Sequence, residues 1–396
     1  MANSLTQNQI YQILNAINAQ AKTGGNLTAV DTSSFVAVGE TLLRSGYDNV
    51  IGAISQVLSE TIFSFRPYEA KLDILYMDNI KWGNHVRKIV PLDGDAENDD
   101  RYSLTDGQSV DPWRVNKPKV KQFNFYGQEV YQRSITMFKD QLDVAFRSEE
   151  EFARFISMIY GNVRSQLAQD EENVRRMALA NFIGGVTYTN SNHVYNLLKM
   201  YNDLTGLTLT TSTVYQPTNY KAFVQFMSAT MLTVSDEMTQ RGYRFHKNLT
   251  IDNTAVNIPR HTPKSAQRFI MFSPEYRRIQ NSALADTFNK ELVTGFDGFE
   301  AVNFFQNPDH PNEVKVTPSI ITDVGEFVKA NEKTVTGIVG MIFDRDAMGQ
   351  TRINEWSQAT PINPRGGYSN TFFHRTNRWY NDFTENSALF VIQDYE

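Results

Sequence analysis

The 396-residue chain is long enough for two or three domains, and its content of 41% hydrophobic and 12% aromatic residues excludes wholesale disorder. The formal net charge of −6 argues against nonspecific binding to nucleic acid, and the lack of cysteine excludes disulfides, thiolate nucleophiles and thiolate metal sites. Met1–Gln9 is polar with no apolar signal-peptide region after it, and no run of 18 apolar residues could span a membrane, so we expect a soluble protein made and used in cytoplasm.

Residues 1 to about 65 form a leader that is poor in charge and rich in small polar residues. A possible capping box, Thr6 with Gln9, precedes apolar residues at the spacing of a short amphipathic helix: Ile10, Ile13, Leu14 and Ile17. Val50–Leu58 predicts another helix. Such short helices cannot bury both faces alone, so we expect the leader to pack on its own chain or on a neighbouring copy.

The next region, Arg66–Phe146, has the pattern of β-structure. Val86–Val90 predicts a short strand, and the two-residue spacing of apolar side chains over Val120–Met137 predicts a long one. Together they suggest an elongated two-stranded arm, which needs a partner surface because isolated hairpins are marginal in water.

Charged residues lie between and along these two strands. The acidic ones at the tip are Asp93, Asp95, Glu97, Asp99 and Asp100, and the basic ones on the descending side are Arg114, Lys117, Lys119 and Lys121. They are either an ordinary solvated loop or groups that meet opposite charges on neighbouring copies. In the second case they would set register and selectivity, because a single exposed pair contributes only about 0.2–1 kcal/mol.

Ser148–Ile183 is the most regular stretch, with apolar residues at steps of three and four that predict one long helix. Ser148 and Glu151 form a capping box, and Gly184-Gly185 is expected to end the helix. Gln169–Glu172 interrupts the apolar stripe, so the second half is expected to be bent, more exposed or packed differently. A helix this long either spans two packing regions or supports something extended.

The remaining elements alternate irregularly, which favours an α+β fold over a doubly wound parallel sheet. The predicted helices are Val194–Leu204, Thr218–Met238 and Ser273 towards Leu292. The predicted strands are Leu249–Ile258, Arg268–Phe272, Phe299–Phe305, Thr334–Phe343, Thr371–Arg375 and Ala388–Ile392, with a turn at Asn307–Pro311. Thr334–Phe343 is apolar enough to be a buried central strand.

No catalytic residue, metal site or cofactor site is predicted. The sequence has no dinucleotide or phosphate-binding glycine motif, no His-Glu-x-x-His and no Gly-x-Ser-x-Gly, and its six histidines are scattered. We interpret Asp344-Arg345-Asp346 as a turn after a strand rather than a carboxylate site. Arg375–Trp379, with Tyr368, Phe372 and Phe373, is either an aromatic and basic nucleic-acid platform or a strand facing a core, and we favour the strand.

The order of a leader, a β-arm, a long helix and a mixed body resembles the HK97-like major capsid proteins of tailed bacteriophages. Gly337–Ala347 is similar to the block of a strand followed by Asp-x-x-Ala in the major head proteins of short-tailed phages. Asn363–Asn370, His374 and Glu385–Val391 are similar to the block that follows it there. The order of elements covers nearly the whole chain, whereas these motifs cover about 337 to 391.

The resemblance implies an α+β fold divided into named parts. Residues 1–65 would be the N-terminal arm, 66–147 the extended E-loop with its flanking strands, and 148–239 the peripheral domain with its spine helix at 148–183. Residues 240–335 would be the axial domain, and 336–396 the strands that return to the peripheral domain.

The implied function is structural, without catalysis or cofactors. The chain would form pentamers and hexamers of an icosahedral head, assembled in the host cytoplasm with scaffolding and portal proteins, around double-stranded DNA that it contacts nonspecifically. We expect contacts between copies at Ile10, Ile13 and Ile17 and at the charged residues of the arm. Two alternatives stay open, namely an encapsulin-like compartment and an α+β enzyme with an unrecognised site.

Overall fold

The computed structural model describes residues 7–21, 28–60, 68–77, 85–91, 104–110, 113, 120–189, 191–251, 254–256, 258–281, 296 and 298–395. The chain folds into two compact units. The first unit comprises Met1–Asp73, Gln128–Val174 and Thr351–Arg378, and the second comprises Ile74–Gly127, Arg175–Gln350 and Trp379–Glu396. Each unit is therefore built from three separate stretches of sequence.

Eight helices can be followed in the part of the chain that the structure describes. They are α1 (Gln7–Gln20), α2 (Thr32–Arg44), α3 (Tyr47–Glu60), α4 (Lys139–Ala145), α5 (Glu149–Thr189), α6 (Leu197–Thr205), α7 (Pro217–Glu237) and α8 (Ser273–Asn281). The predicted helices of the leader, the long helix and the helix at Thr218–Met238 are confirmed. Helix α2 was not predicted; it begins at an Asp31 cap whose side chain accepts the backbone N–H of Ser34 at 2.8 Å.

The leader helices pack inside the first unit. The apolar sides of α1, α2 and α3 form one buried cluster with α4 and the start of α5, in which Phe35 and Phe146 both contact the ring of Phe152. Ile10, Ile13 and Ile17 are buried in this cluster. The prediction that these three side chains contact a neighbouring copy is wrong, because they already form the core of their own unit. Thr6, the other half of the expected capping box, lies outside the described residues.

Helix α5 runs for 41 residues and contributes to both units, which confirms that it spans two packing regions. It begins as predicted, with the Ser148 hydroxyl accepting the backbone N–H of Glu151 at 3.2 Å. It does not end at Gly184-Gly185 but continues to Thr189. A Cβ on Gly184 would lie less than 3.0 Å from Val316, and one on Gly185 less than 3.0 Å from Phe383. These glycines therefore permit close packing and do not cap the helix.

The polar interruption of α5 at Gln169–Glu172 is buried only in part, because Gln169 is exposed and Asp170 half-buried. The second half of the helix is mostly buried, contrary to the expectation that it is more exposed. Glu171, Glu172, Arg175 and Arg176 are all buried. Each makes hydrogen bonds within its own unit: Glu171 with Arg352, Glu172 with Tyr68, Arg175 with Gln350 and Arg176 with the Phe304 carbonyl.

Sixteen strands can be followed in the described residues. They are β1 (Val86–Pro91), β2 (Val120–Phe125), β3 (Gln128–Phe138), β4 (Val194–Asn196), β5 (Leu249–Ile251), β6 (Thr254–Val256), β7 (Gln267–Phe272), β8 (Gly298–Val302), β9 (Val314–Val316), β10 (Ser319–Ile321), β11 (Phe327–Lys329), β12 (Lys333–Val335), β13 (Ile338–Asp344), β14 (Met348–Ala359), β15 (Tyr368–Asn381) and β16 (Ser387–Val391). Mixed helices and sheets give an α+β architecture, as predicted.

The strands of the described residues form two sheets of three or more strands. The first has the order β14-β15-β3, with β15 and β3 antiparallel over eleven residue pairs. The second has the order β4-β16-β13-β7-β8, and its central strand β13 is buried along its whole length. The predicted buried strand Thr334–Phe343 is thereby confirmed from Ile338 onward, whereas Thr334 and Val335 belong to β12, which pairs with β9. This second sheet packs with α6, α7 and α8 in the core of the second unit. Two-stranded pairs complete the fold: β1-β2, β5-β6, β9-β12 and β10-β11.

The predicted long strand Val120–Met137 is two strands that belong to different sheets. β2 pairs with β1 in antiparallel register, whereas β3 pairs with β15. The chain changes partners at Tyr126-Gly127, where the Gly127 carbonyl accepts the backbone N–H of Trp379 at 3.1 Å. A Cβ on Gly127 would lie less than 3.0 Å from the Trp379 carbonyl oxygen, so this crossing requires glycine.

Three smaller predictions need correction or stay partly untested. Leu249–Ile258 is not one strand, because β5 and β6 pair with each other as a hairpin. Val194–Leu204 begins as β4, which pairs in parallel with β16, before it becomes α6. Helix α8 is confirmed to Asn281, and its expected continuation towards Leu292 lies outside the described residues. Among the helices that the structure describes, none is long and apolar enough to cross a membrane.

The burial of the leader predicts a loss of stability for Ile17→Ala. We expect a destabilisation of about 2–4 kcal/mol, because the substitution leaves a cavity in the core of the first unit. Val30→Ala is the matched control, since Val30 is exposed, and it should change stability by less than about 0.5 kcal/mol. Thermal or denaturant unfolding of the isolated chain measures both. Equal melting curves for the two variants would mean that the leader does not pack as described.

Gly185 and Gly52 lie in different environments, so replacing each by alanine should change stability in opposite directions. Gly185→Ala should destabilise by about 1–3 kcal/mol, because the methyl group meets the Phe383 ring, which is stacked on Phe182 at 5.1 Å. Gly52→Ala in α3 should stabilise by about 0.5–1 kcal/mol, because a Cβ there meets nothing within 4 Å and alanine is the better helix former. Denaturant midpoints that move in the same direction would contradict this account of Gly184-Gly185.

Candidate assembly surface

The charged residues proposed for the arm fall mostly outside the described residues. This applies to Asp93, Asp95, Glu97, Asp99, Asp100, Arg114, Lys117 and Lys119. Lys121 is described: it is half-buried on β2 and lies opposite Val90 of β1. The structure therefore places one member of the predicted charged set and leaves the others as predictions.

Strands β1 and β2 form the stem of the predicted arm, called the stem hairpin here. Its inner face carries Val90, Phe123 and Phe125, which are buried in the second unit. Phe125 contacts the rings of Phe327 and Tyr380, each with its centroid 5.4 Å away. The alternation of buried and exposed residues along both strands produces this face, as the period of two in a β-strand requires.

Lys88 connects the inner face of the stem hairpin to the segment between β15 and β16 by ion pairs. Its Nζ donates to Oδ2 of Asp382 at 2.5 Å and also contacts Oε1 of Glu385, and the Arg260 guanidinium lies 3.3 Å from the same Glu385 oxygen. We call Lys88, Arg260, Asp382 and Glu385 the Lys88 cluster. A buried charge that loses its partner is costly, so this cluster ties the stem to its own chain.

The outer face of the stem hairpin is exposed and of mixed character: Ile89, Pro91 and Val120 are apolar, whereas Arg87, Gln122 and Asn124 are polar. Ile89 is 54% exposed and Val120 is 62% exposed, and the partner of Val120 across the ladder is the exposed Pro91. Among the strands that the structure describes, β1 and β2 pair only with each other, and an isolated pair gains stability from a surface that covers it. The stem is thus covered by its own chain on one face and open on the other.

The first unit contains a second group of paired charges, of which Glu171 and Arg375 are buried while Arg133 and Glu355 are exposed. Glu171 of α5 lies 2.5 Å from Arg352 and 3.5 Å from Arg375, and Arg375 also pairs with Glu355 at 2.7 Å. Arg133 of β3 makes a bidentate pair with Asp170, with distances of 2.7 and 2.6 Å. Arg375 thus lies in a strand, as interpreted, and is buried, whereas the aromatic residues Tyr368, Phe372 and Phe373 of the same strand are only half-buried. A guanidinium already committed to carboxylates is a poor phosphate ligand.

Two buried histidines, His193 and His246, lie together in the second unit. The Nδ1 atom of His246 is 3.2 Å from Oδ1 of Asn386, while His246 Nε2 and both ring nitrogens of His193 lack hydrogen-bond partners. Burial lowers the pKa of each to about 4; for His193 the nearby His246 adds to the effect. Both side chains are therefore neutral at pH 7 and resist protonation while the unit is folded.

The predicted turn at Asp344-Arg345-Asp346 is confirmed, with Asp344 accepting the backbone N–H of Asp346 at 2.9 Å and the Thr262 hydroxyl at 2.7 Å. Among the residues that the structure describes, no three potential metal ligands form a group. A cavity of about 890 Å³ in the second unit is lined by Glu275, Arg278 and Tyr215, among others. Burial raises the pKa of Glu275, but its oxygens pair with Arg278 at 2.7 Å and Tyr215 at 2.8 Å, as in a structural ion pair.

Sequence reasoning missed Lys88, Asp382 and Glu385. In the sequence, Lys88 lies two positions from an apolar residue on either side, on one face of a strand of alternating pattern. A charged residue on such a face needs a partner. The partner could not be found in the same way, because it lies 294 residues further along the chain.

Comparisons with known proteins agree with these observations. The family model for Phi29-like phage major capsid proteins matches residues 12–391. No curated protein is similar in sequence to the chain. A chain in the capsid structure of Staphylococcus phage Andhra has a TM-score of 0.54 and 10% identity, with 84% of this chain and 87% of that one covered. The same values hold for a chain in the structure of the head fiber and inner core protein gp22 of native bacteriophage P68. At such low identity, these two structures show the fold alone.

The buried histidines predict acid sensitivity. A pKa that is lower in the folded chain than the ordinary 6.5 means that the unfolded chain binds protons more readily. Their stabilising effect is complete above pH 6.5, declines as the pH falls towards about 4, and amounts to roughly 3 kcal/mol for each histidine. We expect His193→Gln to weaken the dependence of melting temperature on pH in this window.

His310→Gln is the control for this experiment, because His310 is exposed in the turn after Asn307. It should leave the dependence of melting temperature on pH unchanged. A His193→Gln variant whose melting temperature falls between pH 6.5 and 4 as steeply as that of the unaltered chain would show that His193 does not resist protonation.

Proposed function

The chain belongs to the Phi29-like phage major capsid protein family, and from this premise we propose how its copies assemble and which surface they use. It has an HK97-like α+β fold and forms the capsid of a phage head. In the proposal, copies form pentamers and hexamers of an icosahedral shell, because heterologous contacts around such axes close into rings.

The outer face of the stem hairpin is the proposed contact with a neighbouring copy. The observation that carries this proposal is the difference between its faces: Lys88, Phe123 and Phe125 hold the inner face to its own chain, while Ile89 and Val120 remain exposed. Exposed apolar residues on an otherwise well-packed element favour a protein partner. In a shell the available partner is another copy of the same chain.

The proposal extends to the charged residues beside the stem. Asp93, Asp95, Glu97, Asp99 and Asp100 follow β1 directly in sequence, and Arg114, Lys117, Lys119 and Lys121 lead into or lie in β2. With opposite signs on the two sides of one hairpin, neighbouring hairpins can align by charge, which sets register more than affinity.

The division by chain order is part of the same proposal. Residues 66–147 act as the E-loop, 148–239 as the peripheral domain, 240–335 as the axial domain and 336–396 as the returning strands. Residues 1–65 occupy the position of the N-terminal arm in chain order. Their helices, however, pack in the core of the first unit and stabilise it. The contact with neighbours is thereby assigned to the hairpin and not to the leader isoleucines.

The proposed partners of the shell are scaffolding and portal proteins during assembly in the host cytoplasm, and packaged double-stranded DNA afterwards. A net charge of −6 supports only weak, nonspecific contact with DNA. Such weak contact suits an inner capsid surface that does not bind the packaged genome tightly. The family match favours this phage head over a compartment shell or an enzyme.

Negative-stain electron microscopy of the purified chain, alone and coexpressed with a scaffolding protein, tests the assembly surface. We expect shells from the unaltered chain and none from the double variant Ile89→Asp/Val120→Asp, because two unpaired carboxylates would be buried in an apolar contact. The melting temperature of the double variant should stay close to that of the unaltered chain, since both positions are exposed.

Leu204→Asp is the matched control, as it places a carboxylate on another exposed apolar position of the second unit. It should allow shells to form. Normal shells from the double hairpin variant would refute the assigned surface, and persistent monomers of the unaltered chain under all conditions would count against the assembly itself.

A further inference from the structure

The three-stranded sheet of the first unit has two faces of opposite character, since side chains alternate between the faces along each strand. The strand segments concerned are Val130–Phe138, Asn354–Gln358 and Tyr368–Thr376. On the face towards α5, Arg133 pairs with Asp170 of that helix. Arg375 pairs with Glu171 of the same helix and with Glu355 of β14. All the Asp, Glu, Lys and Arg residues of the three segments, namely Arg133, Glu355 and Arg375, therefore turn to this face.

The opposite face, called the outer sheet face here, consists of the alternate residues of the same segments. Cross-strand contacts fix their common side: the Thr136 hydroxyl donates to Oδ1 of Asn370 at 2.7 Å, and the rings of Phe138 and Tyr368 lie 5.9 Å apart. The members are Val130, Gln132, Ser134, Thr136, Phe138, Asn354, Trp356, Gln358, Tyr368, Asn370, Phe372, His374 and Thr376. Apart from Val130, each carries a ring, an amide or a hydroxyl group, and none is Asp, Glu, Lys or Arg.

Trp356 is the exposed aromatic centre of the outer sheet face. Its indole stacks on the imidazole of His374, with ring centroids 3.9 Å apart and 13° between the planes, and the ring of Phe372 lies 6.4 Å from the same imidazole. Trp356 nevertheless remains 47% exposed. The indole is thus held in one orientation by its own chain while much of it is open to solvent, so little conformational entropy is lost when a ligand binds it.

Uncharged hydrogen-bonding groups surround this ring. Asn354 and Gln358 flank Trp356 on the same side of β14, and Gln132 of β3 lies opposite His374 in the ladder. All three amides are exposed. An amide group offers both donors and an acceptor, so it can bind hydroxyl groups in either sense.

From this combination of a fixed, exposed ring and neutral amides we infer that the outer sheet face binds a neutral polysaccharide of β-linked glucose or N-acetylglucosamine units. The C–H groups on one side of such a sugar ring form an apolar surface, which is attracted to the negative face of an aromatic ring. The hydroxyl groups at the edge of the sugar are donors and acceptors. Trp356 supplies the stacking surface, and Gln132, Asn354 and Gln358 supply the hydrogen bonds.

Charge complementarity favours this ligand over two other classes that bind exposed rings. Single-stranded nucleic acid stacks on aromatic side chains but needs lysines or arginines along its backbone, and here Arg133 and Arg375 are paired on the opposite face. A permanent protein interface resembles the interior of a domain, whereas Val130 is the one aliphatic side chain of the outer sheet face. A neutral ligand rich in hydroxyl groups matches the face best.

The site is separate from the stem hairpin, which belongs to the second unit. Binding by a single chain does not require assembly. One consequence does rest on the proposed shell: many copies on one particle would bind one polymer together, so that a weak contact per copy gives strong attachment.

Isothermal titration calorimetry of the full-length chain with cellohexaose and with chitohexaose tests the site and distinguishes the two sugars. We expect saturable binding of at least one of them. Trp356→Ala should weaken that binding about tenfold or more, because it removes the stacking surface. Trp356→Phe keeps a ring and should weaken it less. Gln132→Ala should weaken it about two- to tenfold through the loss of a hydrogen bond.

Trp113→Ala is the matched control, since Trp113 is 82% exposed but lies in the second unit, outside the outer sheet face. It should leave the affinity unchanged. A hexamer of galacturonic acid is the control ligand, and it should bind more weakly than the neutral hexamers because the face offers no lysine or arginine. The melting temperatures of the Trp356 and Gln132 variants should stay close to that of the unaltered chain, since both positions are exposed.

Three results would overturn the site. The first is a lack of binding of both neutral hexamers at millimolar concentration. The second is an affinity that Trp356→Ala leaves unchanged or that Trp113→Ala lowers equally, which would place the sugar elsewhere. The third is tighter binding of a short oligothymidylate than of either sugar, lost in Trp356→Ala, which would assign the face to nucleic acid. None of these results depends on shell formation, so a failure here is distinct from a failure of the assembly surface.

Discussion

The structure depends on the hydrogen bonds and ion pairs of the four charged residues that α5 buries at its middle, Glu171, Glu172, Arg175 and Arg176. Glu171 and Glu172 find their partners in the first unit, where Glu172 accepts the Tyr68 hydroxyl at 2.5 Å and the backbone N–H of Lys71 at 3.0 Å. Arg175 and Arg176 find theirs in the second unit, at the side chain of Gln350 and the carbonyl of Phe304. Successive turns of the helix thus contribute two acidic side chains to one unit and two basic side chains to the other. Because a buried charge without a partner costs several kcal/mol, these contacts stabilise each unit around its own part of the helix.

Much of the fold could be predicted from local patterns. Apolar spacing was sufficient for α1, α3, α5 and α7, and the continuous apolar run was sufficient for β13, because in these elements the side chains that define the period are also those that are buried. The C-terminal motifs, together with the order of elements, indicated the capsid family correctly. Local rules failed where a distant contact decided the outcome, as at Gly184-Gly185, where Val316 and Phe383 explain the glycines.

The candidate site was less predictable than the fold, for the same reason. The isoleucines of the leader look like an interface in sequence because a short amphipathic helix must be covered by something, and periodicity does not say whether the cover is the same chain. In the structure the cover is Phe35, Phe152 and their neighbours. The stem hairpin was recognised, but the roles of its two faces depend on Asp382 and Glu385, which no pattern near Lys88 reveals.

A shell subunit has to be stable alone and yet bind its neighbours, and the stem hairpin shows how one element can serve both needs. Its inner face is fixed by charge and aromatic contacts, so the strands keep their register without a neighbour. The outer face is then already ordered when it binds a neighbour, so less conformational entropy is lost on association. The stability of the inner contact therefore limits the force on the outer face that the hairpin withstands without moving. A hairpin held only by apolar side chains could slide under load, whereas a lysine enclosed by two carboxylates fixes one residue of β1 to one place in the chain.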